Sequence, residues 1–211
     1  MLLGMKWLIG VDEVGRGPLA GPVAVGVVCV QKGFDWKIVP GVTDSKKLTE
    51  KKREEIYTKV TKLRKEGRLD FAVVMVAAKV IDRIGIVPAI NRAKAKAFTH
   101  IEKNTNVNIS IFQKECLVKL DSGLQAPEEY IHQEIIVKGD SKEKVIGLAS
   151  IVAKVTRDRH MVRISASPKF APYNFAIHKG YGTVNHRTVI QKIGLSEIHR
   201  ASFCRNLLNI K

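Results

Sequence analysis

The chain has 211 residues, a formal net charge of +16, and a hydrophobic fraction of 45%. This length suits one domain with a substantial core, and the hydrophobic fraction argues against a disordered chain. Lys and Arg outnumber Asp and Glu by 36 to 20. Scattered lysines usually serve solubility, but an excess of this size favours a polyanionic partner, above all nucleic acid.

The three cysteines, Cys29, Cys116 and Cys204, are far apart and predict neither a disulfide framework nor a zinc site. Cys29 and Cys116 lie in apolar runs and are expected in the core. No run approaches the ~18 consecutive apolar residues of a membrane span, and residues 1–7 do not resemble a secretory signal. We therefore expect a cytoplasmic monomer without membrane association, and nothing in the sequence identifies a protein partner.

Two apolar runs near the start, 7–11 and 23–30, predict strands. The connection between them is too short for a crossover, so they are expected to form an antiparallel hairpin. Further strands are predicted at 71–76, 116–120 and 135–137, and helices at 49–66, 89–102, 141–163, 186–193 and 199–208. Strands interleaved with helices in this way predict a mixed α/β layer fold.

Carboxylates follow three of the apolar runs: Asp12 with Glu13, then Asp121, then Asp140. If the strands before Asp12 and Asp121 are parallel neighbours, both acids lie at the sheet edge where α/β proteins bind ligands. Clustered carboxylates repel one another unless a cation neutralises them, and oxygen ligands without His or Cys favour Mg²⁺ or Mn²⁺. A basic protein with such a site suits phosphodiester hydrolysis assisted by two ions.

Each of these acids also has a purely structural interpretation, because polar loops often follow strands. Asp140 with Glu143 fits the N-cap of a helix, and Asp158 fits an ion pair on a helix surface. On pattern alone, Asp140 is better explained as a cap than as a ligand. Only the pair Asp12 and Glu13, before a glycine-rich loop, stands out unaided.

The glycine-rich loop matches a dinucleotide-binding pattern, G-x-G-x-x-A, at residues 15–20. That pattern requires a helix immediately afterwards. The run that follows is a predicted strand, and Pro18 and Pro22 interrupt the approach to it. We therefore reject a nucleotide cofactor, although the loop can still present bare backbone to a substrate.

Six blocks of sequence, spread over nearly the whole chain, carry a resemblance to a known family. They are GVDEVGRGPLAGPV at 10–23, DSKKL at 44–48, KGD at 138–140, ASIVAKVTRDR at 149–159, HKGYGT at 178–183 with His186, and HRASF at 199–203. In content and in order these blocks resemble those of bacterial ribonuclease HII, within the type 2 ribonuclease H family.

The resemblance implies a ribonuclease H-like five-stranded mixed sheet flanked by helices, with a C-terminal helical segment. The core is expected at 1–163 and the segment at 164–211, packed together as one structural domain. It also implies a metal site that holds Mg²⁺ or Mn²⁺, with two ions, through Asp12, Glu13, Asp121 and Asp140. For Asp140 this role overrides the cap. The family usually places Gly directly after the third acid, whereas here Gly123 comes one position late.

The resemblance further implies cleavage of RNA–DNA hybrids and of DNA duplexes with embedded ribonucleotides, as in ribonucleotide excision repair. The cut falls 5′ to the ribonucleotide and leaves a 3′-hydroxyl and a 5′-phosphate. Substrate contacts are expected from the loop Gly15, Arg16 and Gly17, from Lys46 and Lys47, from Tyr181, and more weakly from Lys179. The ring of Tyr181 is either an anchor in the core or a probe of the ribose.

The other charged residues receive structural interpretations. His178, His186 and His199 are kept out of the catalytic set because a metal mechanism needs no histidine base. Lys51, Lys52 and Arg53 are interpreted as a solvated helix face. Two other functions stay open, namely a different nuclease of the same fold, such as a junction resolvase, and a non-catalytic nucleic-acid-binding protein. Binding without Mg²⁺-dependent cleavage would favour the latter.

Overall fold

The structure is a computed structural model that describes residues 4–208. The outer ends of the predicted core and C-terminal segment, residues 1–3 and 209–211, lie outside the described residues. Within residues 4–208 one five-stranded sheet has the order β3-β2-β1-β4-β5. The strands are β1 Trp7–Val14, β2 Val23–Gln31, β3 Leu69–Val76, β4 Cys116–Asp121 and β5 His132–Ile136.

The sheet is mixed, as predicted. β1 pairs with β2, and β2 with β3, in antiparallel register. In contrast, β1 pairs with β4, and β4 with β5, in parallel register. The predicted hairpin is therefore confirmed, and the condition set for bringing Asp12 and Asp121 together, that their strands are parallel neighbours, is met.

The helices are α1 Glu50–Lys65, α2 Ala78–Ile84, α3 Ile86–Asn104, α4 Ile109–Glu115, α5 Gly139–Lys142, α6 Lys144–Ser165, α7 Phe175–His178, α8 Val184–Ile193 and α9 Ala201–Cys204. The Thr49 side chain caps α1 by accepting a hydrogen bond from the Lys52 amide. Ile56, Val60 and Leu63 form the buried face of α1, as their spacing predicts.

Several predicted boundaries are wrong. The helix predicted over 141–163 is interrupted at Glu143, which separates α5 from α6. The helix predicted over 199–208 is a single turn, α9, followed by a 3-10 turn at Arg205–Leu207. The last strand, β5, begins three residues before the predicted run 135–137 and ends one residue before the end of that run.

Helices cover both faces of the sheet. Side chains of α3 and Phe112 of α4 pack on one face, and those of α1 and α6 pack on the other. The backbone of α6 packs directly against the backbones of β1 and β2. A Cβ at Gly10 would lie only 2.2 Å from the Val145 carbonyl oxygen. A Cβ at Gly26 would likewise lie 2.4 Å from the Ala149 carbonyl oxygen. These two glycines let α6 run directly against the strands that carry the first acids.

The C-terminal segment packs on the glycine-rich loop. A third apolar cluster joins Ala20 of that loop to Met161, Phe170, Tyr173 and Phe175. Backbone hydrogen bonds run from the Leu19 amide to the Gly180 carbonyl, 2.9 Å, and from the Gly21 amide to the Ile198 carbonyl, 2.8 Å. The predicted boundary at residue 163 stays a prediction, since α6 continues to Ser165. No helix in residues 4–208 is long and apolar enough to cross a membrane.

Candidate active site

The acids predicted from the sequence lie around one edge of the sheet. Asp12 and Glu13 are near the carboxyl end of β1, and Asp121 is the last residue of β4. In the parallel pairing of β1 with β4, Val11 lies opposite Leu120, which places the acids after them side by side. Asp140, on α5, comes after β5 and lies at the same edge, because the amide of the preceding residue, Gly139, bonds the Asp121 carboxylate.

Asp12 is the most deeply buried of these acids, with a relative exposure of 5%. Burial raises the pKa of Asp12 well above its ordinary value, the nearby charges of Glu13 and Asp121 raise it further, and a hydrogen bond from Ser150 opposes them. Its Oδ1 accepts a hydrogen bond of 2.8 Å from the Glu13 amide. The protein therefore holds this carboxylate firmly but leaves its charge without a full counter-charge.

Glu13 has one oxygen that is held and one that is not. Arg16 donates to its Oε1 at 3.3 Å, whereas its Oε2 is buried and has no hydrogen-bond partner among the described residues. Burial raises the pKa of Glu13, and the charge of Asp121 adds to that, while Arg16 lowers it. A buried carboxylate oxygen without a partner is costly, so this atom indicates a missing ligand.

Asp121 is fixed by the backbone of the Lys-Gly-Asp block. Its Oδ1 accepts a hydrogen bond of 2.8 Å from the Gly139 amide. A Cβ at Gly139 would lie 2.6 Å from Cδ1 of Ile146, so any other residue there would require the Ile146 side chain to shift. The late Gly123 has a φ of +84° and forms the turn after β4, with the Leu124 amide bonded back to the Asp121 carbonyl at 3.3 Å.

Asp140 is buried but is not a helix cap. Lys138 and Glu143 occupy the N-cap positions of α5 and α6, and neither cap has a side-chain hydrogen bond. The cap predicted from the pattern is therefore wrong. Burial raises the pKa of Asp140, followed by the charges of Asp44 and Asp121, and Lys46, whose Nζ lies 4.0 Å from Oδ2, lowers it.

The donors at this edge fit a hard divalent cation. They are all carboxylate oxygens, their mutual repulsion has no full counter-charge, and Oε2 of Glu13 lacks a partner. Among residues 4–208, no three acidic, His or Cys side chains are already arranged to enclose a metal ion. A fifth acid, Asp44, lies near enough for its charge to raise the pKa of Asp140. Sequence reasoning did not include Asp44 in the site, although its position in the block at 44–48 was the available signal.

The loop at 44–48 is tied to the site by buried polar contacts. The hydroxyl oxygens of Ser45 and Ser150 lie 2.7 Å apart. Arg53 donates to the carbonyls of Ser45 and Leu48, so its prediction as part of a solvated face is wrong. Lys46 stays 83% exposed at the side chain, and Lys47 is also exposed.

The glycine-rich loop leads into β2 at Val23, which confirms the rejection of a dinucleotide fingerprint. Arg157 and Arg200, both fully buried, donate hydrogen bonds to the carbonyls of this loop from the protein interior.

Asp158 forms an ion pair with Lys154 at 2.9 Å, as predicted, but its side chain is only 9% exposed. Its predicted position on the helix surface is therefore wrong.

Tyr181 lies at the surface beside α6, with a relative exposure of 39%. The Lys154 Nζ is 5.4 Å and the Arg157 Cζ 5.6 Å from the centre of its ring. This exposure excludes the core-anchor interpretation.

The nearby Lys179 is turned inward instead. Its Nζ donates to the Ala176 carbonyl and lies 3.8 Å from the Glu50 carboxylate, so Lys179 is poorly placed for a phosphate contact.

The three histidines of the last blocks form a buried cluster. The rings of His178 and His186 stack at 4.2 Å, and Nε2 of His186 lies 3.0 Å from Nε2 of His199. All three are less than 10% exposed. The hydrogen bonds of these rings are made within the C-terminal segment, whose fold they support. Among the described residues, none of them reaches the carboxylates of the site.

Comparison with known proteins gives one consistent family. A family model described as Ribonuclease HII matches residues 9–206. A protein named Ribonuclease HII from Caldicellulosiruptor bescii is 43% identical over 207 residues, which cover 98% of this chain and 91% of that protein. Another of that name, from Clostridioides difficile, is 41% identical and covers 97% of this chain and 72% of its own length.

Solved structures show the same fold. Ribonuclease H2 from Pyrococcus horikoshii matches with a TM-score of 0.67 at 24% identity, over 96% of this chain and 97% of that one. RNase HII of Archaeoglobus fulgidus, solved in complex with PCNA, matches with a TM-score of 0.69 at 24% identity, over 95% and 96%. Bst-RNase HIII, solved in complex with Mn²⁺, matches with a TM-score of 0.67 at 19% identity, over 99% and 71%.

Proposed function

The chain belongs to the ribonuclease HII family, whose members are endonucleases that hydrolyse RNA paired with DNA, and we propose a metal-dependent form of that reaction for it. The cut falls 5′ to a ribonucleotide and leaves a 3′-hydroxyl and a 5′-phosphate. The observation that carries the proposal is the convergence of four carboxylates at one sheet edge, with one buried oxygen of Glu13 that has no partner among the described residues.

Asp12, Glu13, Asp121 and Asp140 would hold Mg²⁺ or Mn²⁺, as two ions. When bound, such ions lower the pKa of a water molecule and stabilise the leaving oxygen. The Mn²⁺ complex of Bst-RNase HIII supports this choice of metal. Bound cations would also neutralise the repulsion that raises the pKa values of Asp12, Glu13 and Asp140.

The chain orients its own carboxylates for this task. In Asp121 the Gly139 amide occupies Oδ1, and in Glu13 the Arg16 guanidinium occupies Oε1. The second oxygen of each group is left for a ligand. Asp12 is held by the Glu13 amide, and the nearby Ser150 lowers the pKa of its carboxyl. Fixing one oxygen of each acid lowers the cost of ordering the site when a cation arrives.

Substrate contacts are proposed on the side of the acids where the structure is open. Arg16 and Gly17 are exposed, and a Cβ added at Gly17 would have no other atom within 4 Å, whereas Gly15 is buried and would contribute only through the path of the loop. Lys46 and Lys47 would contact backbone phosphates. Tyr181 would contact the ribose, whose 2′-hydroxyl distinguishes RNA from DNA. The substrates are RNA–DNA hybrids and DNA duplexes with single embedded ribonucleotides.

The test is cleavage of a DNA duplex that carries one ribonucleotide, in Mg²⁺, in Mn²⁺ and in EDTA. We expect one cut 5′ to the ribonucleotide with either metal, a 5′-phosphate on the downstream product, and no cut in EDTA. The all-DNA duplex and the Asp12→Asn variant are the controls. Tight binding without cleavage in Mg²⁺ would instead indicate a non-catalytic binding protein, and preferential cleavage of a four-way junction would indicate a resolvase.

A further inference from the structure

Two fully buried arginines lie beneath the glycine-rich loop without a carboxylate partner. Arg157 and Arg200 both have a relative exposure of 0%, and no ion pair within residues 4–208 involves either. Burial lowers the pKa of Arg200 to about 9, so the guanidinium is still charged at neutral pH. A buried charge needs compensation, and here backbone carbonyls supply it.

Each guanidinium is bonded by three carbonyl oxygens. Arg200 donates to those of Gly15 at 2.7 Å, Arg16 at 2.9 Å and Gly21 at 3.0 Å. Arg157 donates to those of Pro22 at 2.8 Å, Lys179 at 3.0 Å and Ala20 at 3.2 Å. Five of the six acceptors belong to the loop between β1 and β2. The loop carbonyls therefore stabilise the buried charges of the two arginines, and the arginines in turn fix the path of the loop.

The two glycines of the loop have different surroundings. Gly15 has a φ of +86°, and a Cβ there would lie 2.3 Å from Nε of Arg157. Gly15 thus allows the backbone to approach the buried arginine. Gly17, by contrast, faces open space. The backbone amides of Arg16 and Gly17 have no hydrogen-bond partner among the described residues, whereas the carbonyls of Gly15 and Arg16 are bonded to Arg200.

We propose that Arg200, supported by Arg157, is a positioning residue for ribose selection: it holds the carbonyls of Gly15 and Arg16 inward so that the loop presents amide donors to the 2′-hydroxyl. The inference rests on the proposed function and deepens it. Donors that are held rigidly stay unpaired when a deoxyribose binds, so the site discriminates strongly against deoxyribose. A loose loop would have to be ordered on binding, and that cost in free energy would reduce the preference for ribose.

Tyr181 depends on the same pair. Arg157 lies 5.6 Å from the centre of the Tyr181 ring and bonds the Lys179 carbonyl two residues before it. The Arg200 amide in turn bonds the Leu19 carbonyl at 2.8 Å. The arginines thus connect both proposed ribose contacts, the loop and the ring, to one buried support.

The experiment compares Arg200→Lys with wild type and with the control Arg159→Lys, which alters a solvent-exposed arginine on α6 paired with Glu54. Lys keeps the charge but lacks the planar fork that reaches three carbonyls. Binding is measured by fluorescence anisotropy in EDTA, on a DNA duplex with one ribonucleotide and on the matched all-DNA duplex. We expect Arg200→Lys to lose about tenfold of the preference for the ribonucleotide, roughly one hydrogen bond. Its affinity for the all-DNA duplex and the behaviour of Arg159→Lys should not change.

The outcomes separate the inference from the proposed function. A wild-type protein without preference for the ribonucleotide, and without cleavage at it in Mg²⁺, would contradict the proposed function itself. An unchanged preference in folded Arg200→Lys would overturn the inference alone. If Arg200→Lys does not fold, NMR of the wild type decides. The amide signals of Arg16 and Gly17 should shift more with the ribonucleotide duplex than with DNA, and equal shifts would overturn the inference.

Discussion

The hydroxyl oxygens of Ser45 and Ser150 lie 2.7 Å apart in a buried contact that joins loop 44–48 to helix α6. Ser150 also lies near Asp12 and lowers the pKa of that carboxyl. The loop with the proposed phosphate-binding lysines and the most deeply buried acid of the site therefore meet at one side chain, 105 residues from Ser45 in the sequence.

This contact predicts a graded effect of two substitutions. Ser150→Ala removes both the contact with Ser45 and the hydroxyl that lowers the pKa of Asp12, whereas Ser45→Ala removes only the link between loop and helix. We expect each to lower stability by about 1 kcal/mol, and Ser150→Ala to lose more kcat than Ser45→Ala. Urea unfolding and single-turnover cleavage test this, and an equal kcat in the two variants would argue against a role for Ser150 at Asp12.

The acids predict a loss of turnover without a loss of binding. Asp12→Asn and Asp121→Asn should each lose at least ~100-fold in kcat, because even outer-shell partners of a metal contribute 10–100-fold. Hybrid binding should survive or improve, since a negative charge near the phosphates is removed. Glu115→Gln, next to the opposite end of β4, is the matched control. Turnover near that of wild type at millimolar Mg²⁺ in both variants would refute the metal assignment.

The exposed lysines predict a change in salt dependence. Lys46→Ala and Lys47→Ala should each flatten the slope of log affinity against log salt by up to about one unit, since each phosphate contact releases counterions. The double variant Lys62→Ala/Lys65→Ala removes the same charge from the far end of α1. If both double variants change the slope equally, net charge and not local contact is responsible.

Tyr181 predicts a loss specific to the ribose. Tyr181→Ala should keep the melting temperature but lose roughly tenfold or more in kcat/KM on a single-ribonucleotide duplex, the size of an aromatic contact of ~1–3 kcal/mol. Tyr181→Phe should lose less if the ring stacks on the sugar, and nearly as much if its hydroxyl reads the ribose. Tyr57→Ala, whose ring also lies beside an arginine, is the control. Full activity in Tyr181→Ala would exclude the proposed contact.

The histidine cluster predicts instability in acid. Nδ1 of His186 donates to the Tyr181 carbonyl, so its Nε2 must accept from His199, whose Nδ1 accepts from the Ser196 amide. An added proton on either ring would break one of these bonds. Burial is the main cause that lowers the pKa of both His186 and His199 to about 4, against about 6.5 in the unfolded chain.

The sign of the effect follows from proton uptake. Between pH 6.5 and 4 the unfolded chain binds more protons than the folded one, so stability is full above pH 6.5 and is lost as the pH falls towards 4. The raised pKa values of the site acids act in the opposite direction. We expect His186→Gln to melt lower than wild type at pH 7.5 but to lose less on going to pH 5. The exposed His100→Gln should keep the wild-type slope, and a slope unchanged in His186→Gln would contradict the assignment.

Local sequence patterns were sufficient for much of the fold. Continuous apolar runs located the strands of the sheet, because burial on both faces requires continuous hydrophobic stretches. The same reasoning found the buried face of α1 and rejected the dinucleotide fingerprint, since a strand follows the loop. Short elements such as α2 and α4 were missed, because seven residues contain only two turns of any periodicity.

The site shows the same division. The pair Asp12 and Glu13 was visible from the sequence, and the parallel neighbourhood of β1 and β4 made the position of Asp121 predictable. Pattern alone assigned Asp140 to a cap, and only the resemblance to a known family corrected it. The influence of Asp44 on Asp140 depends on how loop 44–48 folds back over α6, and nothing within the loop predicts that.

Only the tertiary structure decided which polar side chains are buried. Arg157 and Arg200 lie 135 and 185 residues from loop carbonyls that they bond, and on sequence alone an arginine is expected at the surface. Asp158 was likewise predicted to be exposed and is not. Periodicity reports the neighbours of a residue within one helix or strand, whereas the burial of a charge depends on partners that the folded chain brings from a distance. The sequence by itself therefore determined the elements and the identity of the acids, and long-range packing determined the support that holds them in place.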